Sequence, residues 1–135
     1  MDVVSPEGIR TEIGSIRIDP EVIAIIAGLA AVEIEGVAGM SGGLAGGIAE
    51  WLGRKNLSKG VKVQVAGHEV SVEVSIIVEF GHRIPEVAGR IQQNVRHAIE
   101  SMTGLRVAEV NVHVHDVHFR QADRAEESES GHRLK

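Results

Sequence analysis

The stretch VKVQVAGHEVSVEVSIIVEF, residues 61 to 80, leaves the backbone little freedom. Val61, Val63 and Val65 alternate with Lys62 and Gln64. After Ala66-Gly67-His68-Glu69 the alternation resumes through Val70, Val72, Val74, Ile76, Val78 and Phe80. Successive side chains of a strand point to opposite faces, so the pattern specifies a β-hairpin with one buried face and one solvated face. Val110, Val112 and Val114, set against Asn111, His113 and His115, repeat the rule and read as a last strand.

A sheet buried on one side needs helices to cover it. Asp19-Pro20-Glu21 is a strong helix start, with Asp at the N-cap, Pro at the first helical position and Glu at the positive end of the dipole. That helix is expected to reach about Glu35, with Gly36 ending it. Val22, Ile23, Ile25, Ile26, Leu29 and Val32 spread over most of its circumference, so it should be covered on two sides. The second helix opens at Pro85-Glu86 and closes at Gly104. Val87, Ile91, Val95, Ala98, Ile99 and Met102 are expected to form its one apolar face.

With a short first strand at Ile16 and Ile18, the order becomes βαββαβ. The expected fold is a two-layer α+β sandwich, a mainly antiparallel sheet with two helices on one face. A ferredoxin-like connection is the first expectation and a KH-like arrangement the second. The domain is expected over residues 14–119, with a flexible N-terminal tail over 1–13. The stretch 120–135, RQADRAEESESGHRLK, is too charged to offset its ordering entropy and is expected to be a disordered tail.

Composition excludes several functions. With no Cys there is no disulfide, thiolate metal site or thiol nucleophile. A net charge of -5 and only Trp51, Phe80 and Phe119 as aromatics argue against nucleic acid as a ligand. MDVVSPEGIR lacks the features of a secretory signal. The longest apolar run, Val22 to Val32, falls short of the roughly 20 residues that span a bilayer.

Four motifs remain. His113 and His115 share a strand face and are candidate metal ligands, with Asp116 and His118 close behind, but zinc needs a third and usually a fourth ligand. A solvated strand face uses the same residues, and it is the reading adopted, with no metal and no cofactor. Gly39-Met40-Ser41-Gly42-Gly43 matches G-x-S-x-G, yet a nucleophile elbow follows a strand over a large parallel sheet, and here a helix is expected before it. No catalytic role is assigned. GVAGMSGGLAGG has no Lys or Arg between Arg17 and Arg54 to hold a phosphate. Finally, GGLAGGIAEWLGRK places Leu44, Ile48, Trp51 and Leu52 on one helical stripe with Arg54 and Lys55 behind it. Such a segment docks on a partner or a membrane surface, or folds over its own core.

GSIRIDPEVIAIIAGLAAVEIEGVAGM, LGRKNLSKGVKVQV, VSVEVSIIVEFGHRIPEVAGRIQQNVRHAIESMTGL and VAEVNVHVHDVHF, in that order, resemble the bacterial alkaline-shock-protein family, also called the envelope stress response family. The likeness covers residues 14 to 119. Ile84-Pro85-Glu86-Val87 and the strand Val110 to Val114 match its pattern, while the Gly-rich insert at 42 to 47 and the second and third histidines look particular to this chain. The resemblance implies a cytoplasmic α+β protein without enzymatic activity, made under alkaline or envelope stress. It also implies retention at the inner face of the membrane by a small membrane-anchored partner, with homo-oligomerisation left open. The function expected is that of an interaction or scaffold protein, docking through Leu44, Ile48, Trp51, Leu52, Arg54 and Lys55. The alternatives are a metal-binding protein using His113 and His115, and a KH-like RNA binder.

Overall fold

Every second residue of one strand is buried, and the other elements are arranged around it. The computed structural model describes residues 3–5, 8–41 and 57–119. Its central strand is β6 (Glu69–Glu79), numbered in chain order after β1 (Val3–Ser5), β2 (Gly8–Thr11), β3 (Gly14–Ile16), β4 (Val37–Met40) and β5 (Val61–Ala66). Val70, Val72, Val74, Ile76 and Val78 are each 1 % exposed or less. Burying each such side chain contributes about 1.5–3 kcal/mol, so the alternation read from the sequence is the main organising force.

β6 has partners on both edges. On one edge β5 forms the expected hairpin, from Ala66↔Glu69 to Val61↔Val74. Gly67 takes the positive φ (+64°) that the tight turn requires. β4 pairs antiparallel further along the same edge, from Val37↔Val78 to Met40↔Ile76. The two meet at Ser75, whose N–H donates to Gly60 O (2.8 Å) and whose carbonyl accepts from Ser41 N–H (2.9 Å).

The opposite edge belongs entirely to β7 (Arg106–His118), which runs parallel to β6 from Glu69↔Arg106 to Glu79↔His118. β7 has 13 residues against the 11 of β6. The surplus is taken up by two register shifts that leave Ala108 and His115 without a partner. Each bulge flips the parity of the residues after it. The core-facing valines are therefore Val107, then Val110, Val112 and Val114, then Val117.

α1 (Pro20–Val32) and α2 (Ile84–Thr103) cover the same face of this sheet. Asp19 caps α1 through the N–H of Glu21 (3.4 Å), as its sequence requires. Asn94 of α2 ties the helices together, donating to Ala30 O (2.8 Å) and to Glu33 Oε1 (3.0 Å). α2 ends at Gly104, in the left-handed conformation with φ +78°.

The α+β class and the shared helical face are as expected, and four details differ. The sheet is mixed, because its longest pairing, β6 with β7, is parallel. The first strand does not join it: with both edges of β6 occupied, Gly14–Ile16 pairs instead in a separate meander of order β1-β2-β3. Of the expected pair, only Ile18 packs against the core. The main sheet is thus β4, β5, β6 and β7 rather than a βαββαβ set, and adjacent parallel β6 and β7 exclude the ferredoxin-like connection. α1 stops at Val32, three residues early, as Ile34 N–H bonds to Ala31 O and the chain turns toward β4. Met102 is 70 % exposed, and its place on the α2 stripe is taken by Thr103. The Thr103 hydroxyl is satisfied by donating to Ile99 O (2.6 Å) and accepting from Leu105 N–H (3.1 Å).

Within the segment read as an N-terminal tail, Val3–Ser5 and Gly8–Thr11 are strands. The charged stretch 120–135 lies outside the described residues.

Candidate functional site

The uncovered face of the sheet carries the polar residues of the alternation. Register places Lys62 beside Glu73, Glu73 beside Asn111, and Ser75 beside His113. His113 Nε2 lies 2.5 Å from Glu73 Oε2, with both side chains about half exposed. His115, at the second bulge, lies with its ring centre 6.4 Å from that of His113. His118 turns away and donates from Nδ1 to Phe119 O (2.9 Å), and the Asp116 carboxylate accepts from Val117 N–H (2.8 Å). The structure therefore sets His113 against Glu73 with His115 as its ring neighbour, and leaves Asp116 and His118 with backbone partners. Among the described residues no group of three or more His, Asp or Glu side chains is arranged to hold a metal ion.

A second surface lies on α1. Ile23, Ala24, Ile26, Ala27, Ala30 and Ala31 face the core, while Val22 and Leu29 remain 45 % and 47 % exposed, with half-buried Ile25 between them. The excess apolar circumference expected from the sequence is present as this outward stripe. One flank of α1 is held by the chain that leads into β5. A Cβ on Gly28 would lie 2.6 Å from Leu57 O, so only glycine permits the approach seen here. Ser58 Oγ donates to Glu21 Oε2 (2.8 Å). The expected docking residues Leu44, Ile48, Trp51, Leu52, Arg54 and Lys55 lie outside the described residues. The chain leaves the described sheet at Ser41, hydrogen-bonded to Ser75, and returns at Leu57 against α1.

A third surface was not anticipated. Phe80 and Phe119 stack with ring centres 4.8 Å apart, where β6 and β7 end side by side, and Phe80 is 63 % exposed. Val117, also on this end of β7, is 41 % exposed. The break in alternation after Val114 was the signal: the bulge at His115 puts Val117 and Phe119 on the side of the core valines. Ser41, the candidate nucleophile of the G-x-S-x-G match, sits in a turn after β4 with its N–H bonded to Ser75 O.

Residues 8–119 match the model of the alkaline shock protein 23 family, described as having a cell envelope-related function. The chain belongs to this family. The alkaline shock chain is similar to the uncharacterized protein YqhY of Bacillus subtilis, with 43 % identity over 109 residues and 81 % of each chain covered. YloU of the same organism, also uncharacterized, is 39 % identical over 111 residues, covering 81 % of this chain and 92 % of its own. A stress response regulator gls24 homolog of Streptococcus pyogenes is 32 % identical over 114 residues, covering 84 % of this chain and 64 % of its own. Among solved structures, a MamM-CTD chain aligns over 76 % of this chain and 100 % of its own, at 16 % identity and a TM-score of 0.45. Nothing about function carries over at that likeness.

Proposed function

We propose that this alkaline shock family member is a non-enzymatic interaction protein of the cell-envelope stress response, held at the inner face of the membrane by a membrane-associated protein partner. The observation that carries this reading is the outward stripe of α1. Large apolar side chains kept at 45 % and 47 % exposure, on a helix whose other side is fully packed, mark a contact surface. The sequence from Leu44 to Lys55, apolar on one stripe and basic at its end, suits the same task and lies between two chain positions, Ser41 and Leu57, that the fold holds in place. No helix among the described residues is long and apolar enough to cross a membrane, and in this reading the anchor belongs to the partner.

The test is co-sedimentation with membranes of two variants, each first shown to keep the native circular dichroism spectrum. Val22→Gln with Leu29→Gln removes the α1 stripe, and Trp51→Ala with Arg54→Glu disrupts the amphipathic segment. Loss of membrane retention in both supports docking through the α1 stripe and the amphipathic segment. Retention of both at the wild-type level would refute it. Labelling of Ser41 by a fluorophosphonate probe would overturn the non-enzymatic part of the reading.

A further inference from the structure

The two long edges of the main sheet are finished differently. The β4–β5 edge is broken at Ser75 and carries Lys62. The other edge is β7, a strand of 13 residues with two bulges, paired among the described residues only with β6. An unpaired edge is a template for another strand, and proteins blunt it with charges, proline or a covering group.

α2 blunts the first half of β7. Arg106 N–H bonds to His68 O, so Arg106 turns its backbone toward β6, and the next residue turns its own outward. There Glu100 Oε2 accepts from Val107 N–H (3.0 Å). Past the first bulge, Gln92 Nε2 donates to Val110 O (2.9 Å). At Val117 a side chain again intervenes, as Asp116 accepts from the N–H of Val117. Between these caps the register with β6 is regular from Val110 to Val114, so Val112 and Val114 also direct N–H and C=O outward. None of the described residues hydrogen-bonds to these four groups. Asn111 to His115 contains no Lys, Arg, Asp, Glu or Pro to discourage pairing. The side chains of Val112 and Val114 are only half-buried, although they lie on the core side.

We propose that this open stretch pairs with itself: two copies of the chain join their sheets edge to edge, antiparallel, about a two-fold axis at His113. This surface is separate from the α1 stripe and does not depend on membrane docking there. The occupant is a second copy because the stretch is self-complementary. In this register Val112 faces Val114 of the other copy, and the four outward groups on each side form four hydrogen bonds with none left over. The side chains brought opposite each other are Val with Val and His with His, with no fixed like charges to oppose pairing. The exposed Phe80–Phe119 stack and Val117 lie on the same end of β7 and extend the apolar contact.

The geometry gives a positive test. His113 would form a non-hydrogen-bonded pair with its symmetry mate, with Cα atoms about 4.5 Å apart, a separation a disulfide can bridge. The native chain has no cysteine. Under mild oxidation, His113→Cys should form a covalent dimer in several-fold higher yield than Met102→Cys, a similarly accessible control on α2. Sedimentation should show the wild-type chain as a dimer, and His113→Lys, which sets two cations across the axis, should shift it to monomer with the circular dichroism spectrum unchanged. A wild-type chain that is monomeric up to its solubility limit would overturn the proposal and leave the edge to another protein's strand or to residues 120–135. A dimer in which His113→Cys cross-links no better than Met102→Cys would overturn it equally, by placing the interface elsewhere.

Discussion

Helices α1 and α2 cover one sheet face by opposite means. α2 buries a single row at every fourth residue, Val87, Ile91, Val95, Ile99 and Thr103, and gives most of its remaining positions to polar side chains. α1 is apolar nearly throughout, yet five of its seven buried residues are Ala24, Ala27, Gly28, Ala30 and Ala31, while Val22 and Leu29 point outward. Packing alone would favour the reverse, because large side chains gain more from burial than small ones. The difference teaches that α2 is built to hold the core and α1 to lie close to its neighbours while presenting a surface.

Three measurements would break or sharpen this contrast. The largest effect is expected at the centre of the α2 row. Ile91 is fully buried, so Ile91→Ala should cost about 2–5 kcal/mol in urea unfolding. A loss no larger than that of a surface substitution would mean α2 is not the core helix.

The second compares one substitution in both helices. Gly28→Ala drives a methyl against the backbone of Leu57, which cannot swing aside, and should destabilise by about 1–3 kcal/mol. Gly89→Ala places its methyl in open space on α2 and should stabilise by up to about 1 kcal/mol through helix propensity. Equal signs for the two would show that the close approach at Gly28 does not constrain α1. The smallest effect is expected on the outer stripe, where Leu29→Gln should change stability by no more than about 0.5 kcal/mol. A loss of several kcal/mol in the same unfolding experiment would make Leu29 part of the core and remove it from any docking surface.

Much of this was legible because strand and helix periods differ. The valines of β5 and β6 declared a hairpin, and Asp19-Pro20 and Gly104 marked helix ends by their own backbone chemistry. β7 was legible in its middle and not at its ends, because a bulge shifts the apolar residues to the other parity and looks like a broken strand. β4 went unseen: Val37-Ala38-Gly39-Met40 is short and glycine-containing, and only its pairing with β6, far along the chain, makes it a strand. Its tertiary partner decides it, not its propensity. Met102 and Thr103 were exchanged for a similar reason. Hydrophobicity favoured Met102, but the four-residue step of the stripe falls on Thr103, where local hydrogen bonds make a buried hydroxyl tolerable. Of the candidate site, the surplus circumference of α1 was readable as an excess of apolar positions. Which residues would face outward was not readable, because that depends on how closely Ala and Gly let the helix approach.

Ser75 fixes the points at which the chain leaves β4 and enters β5. One residue of β6 receives Ser41 on its carbonyl and Gly60 on its amide, so the departure and return of the chain are anchored at a single rung. A connection closed in this way has its end-to-end distance set by the sheet and not by its own length. Each doubling of such a loop costs only about 0.6 kcal/mol in closure entropy. The chain between Ser41 and Leu57 can therefore change in length at little cost in closure entropy, provided Leu57 and Ser58, which contact α1, are kept. A family built on this sheet can vary the sequence between Ser41 and Leu57 without redesigning the fold that holds its two ends.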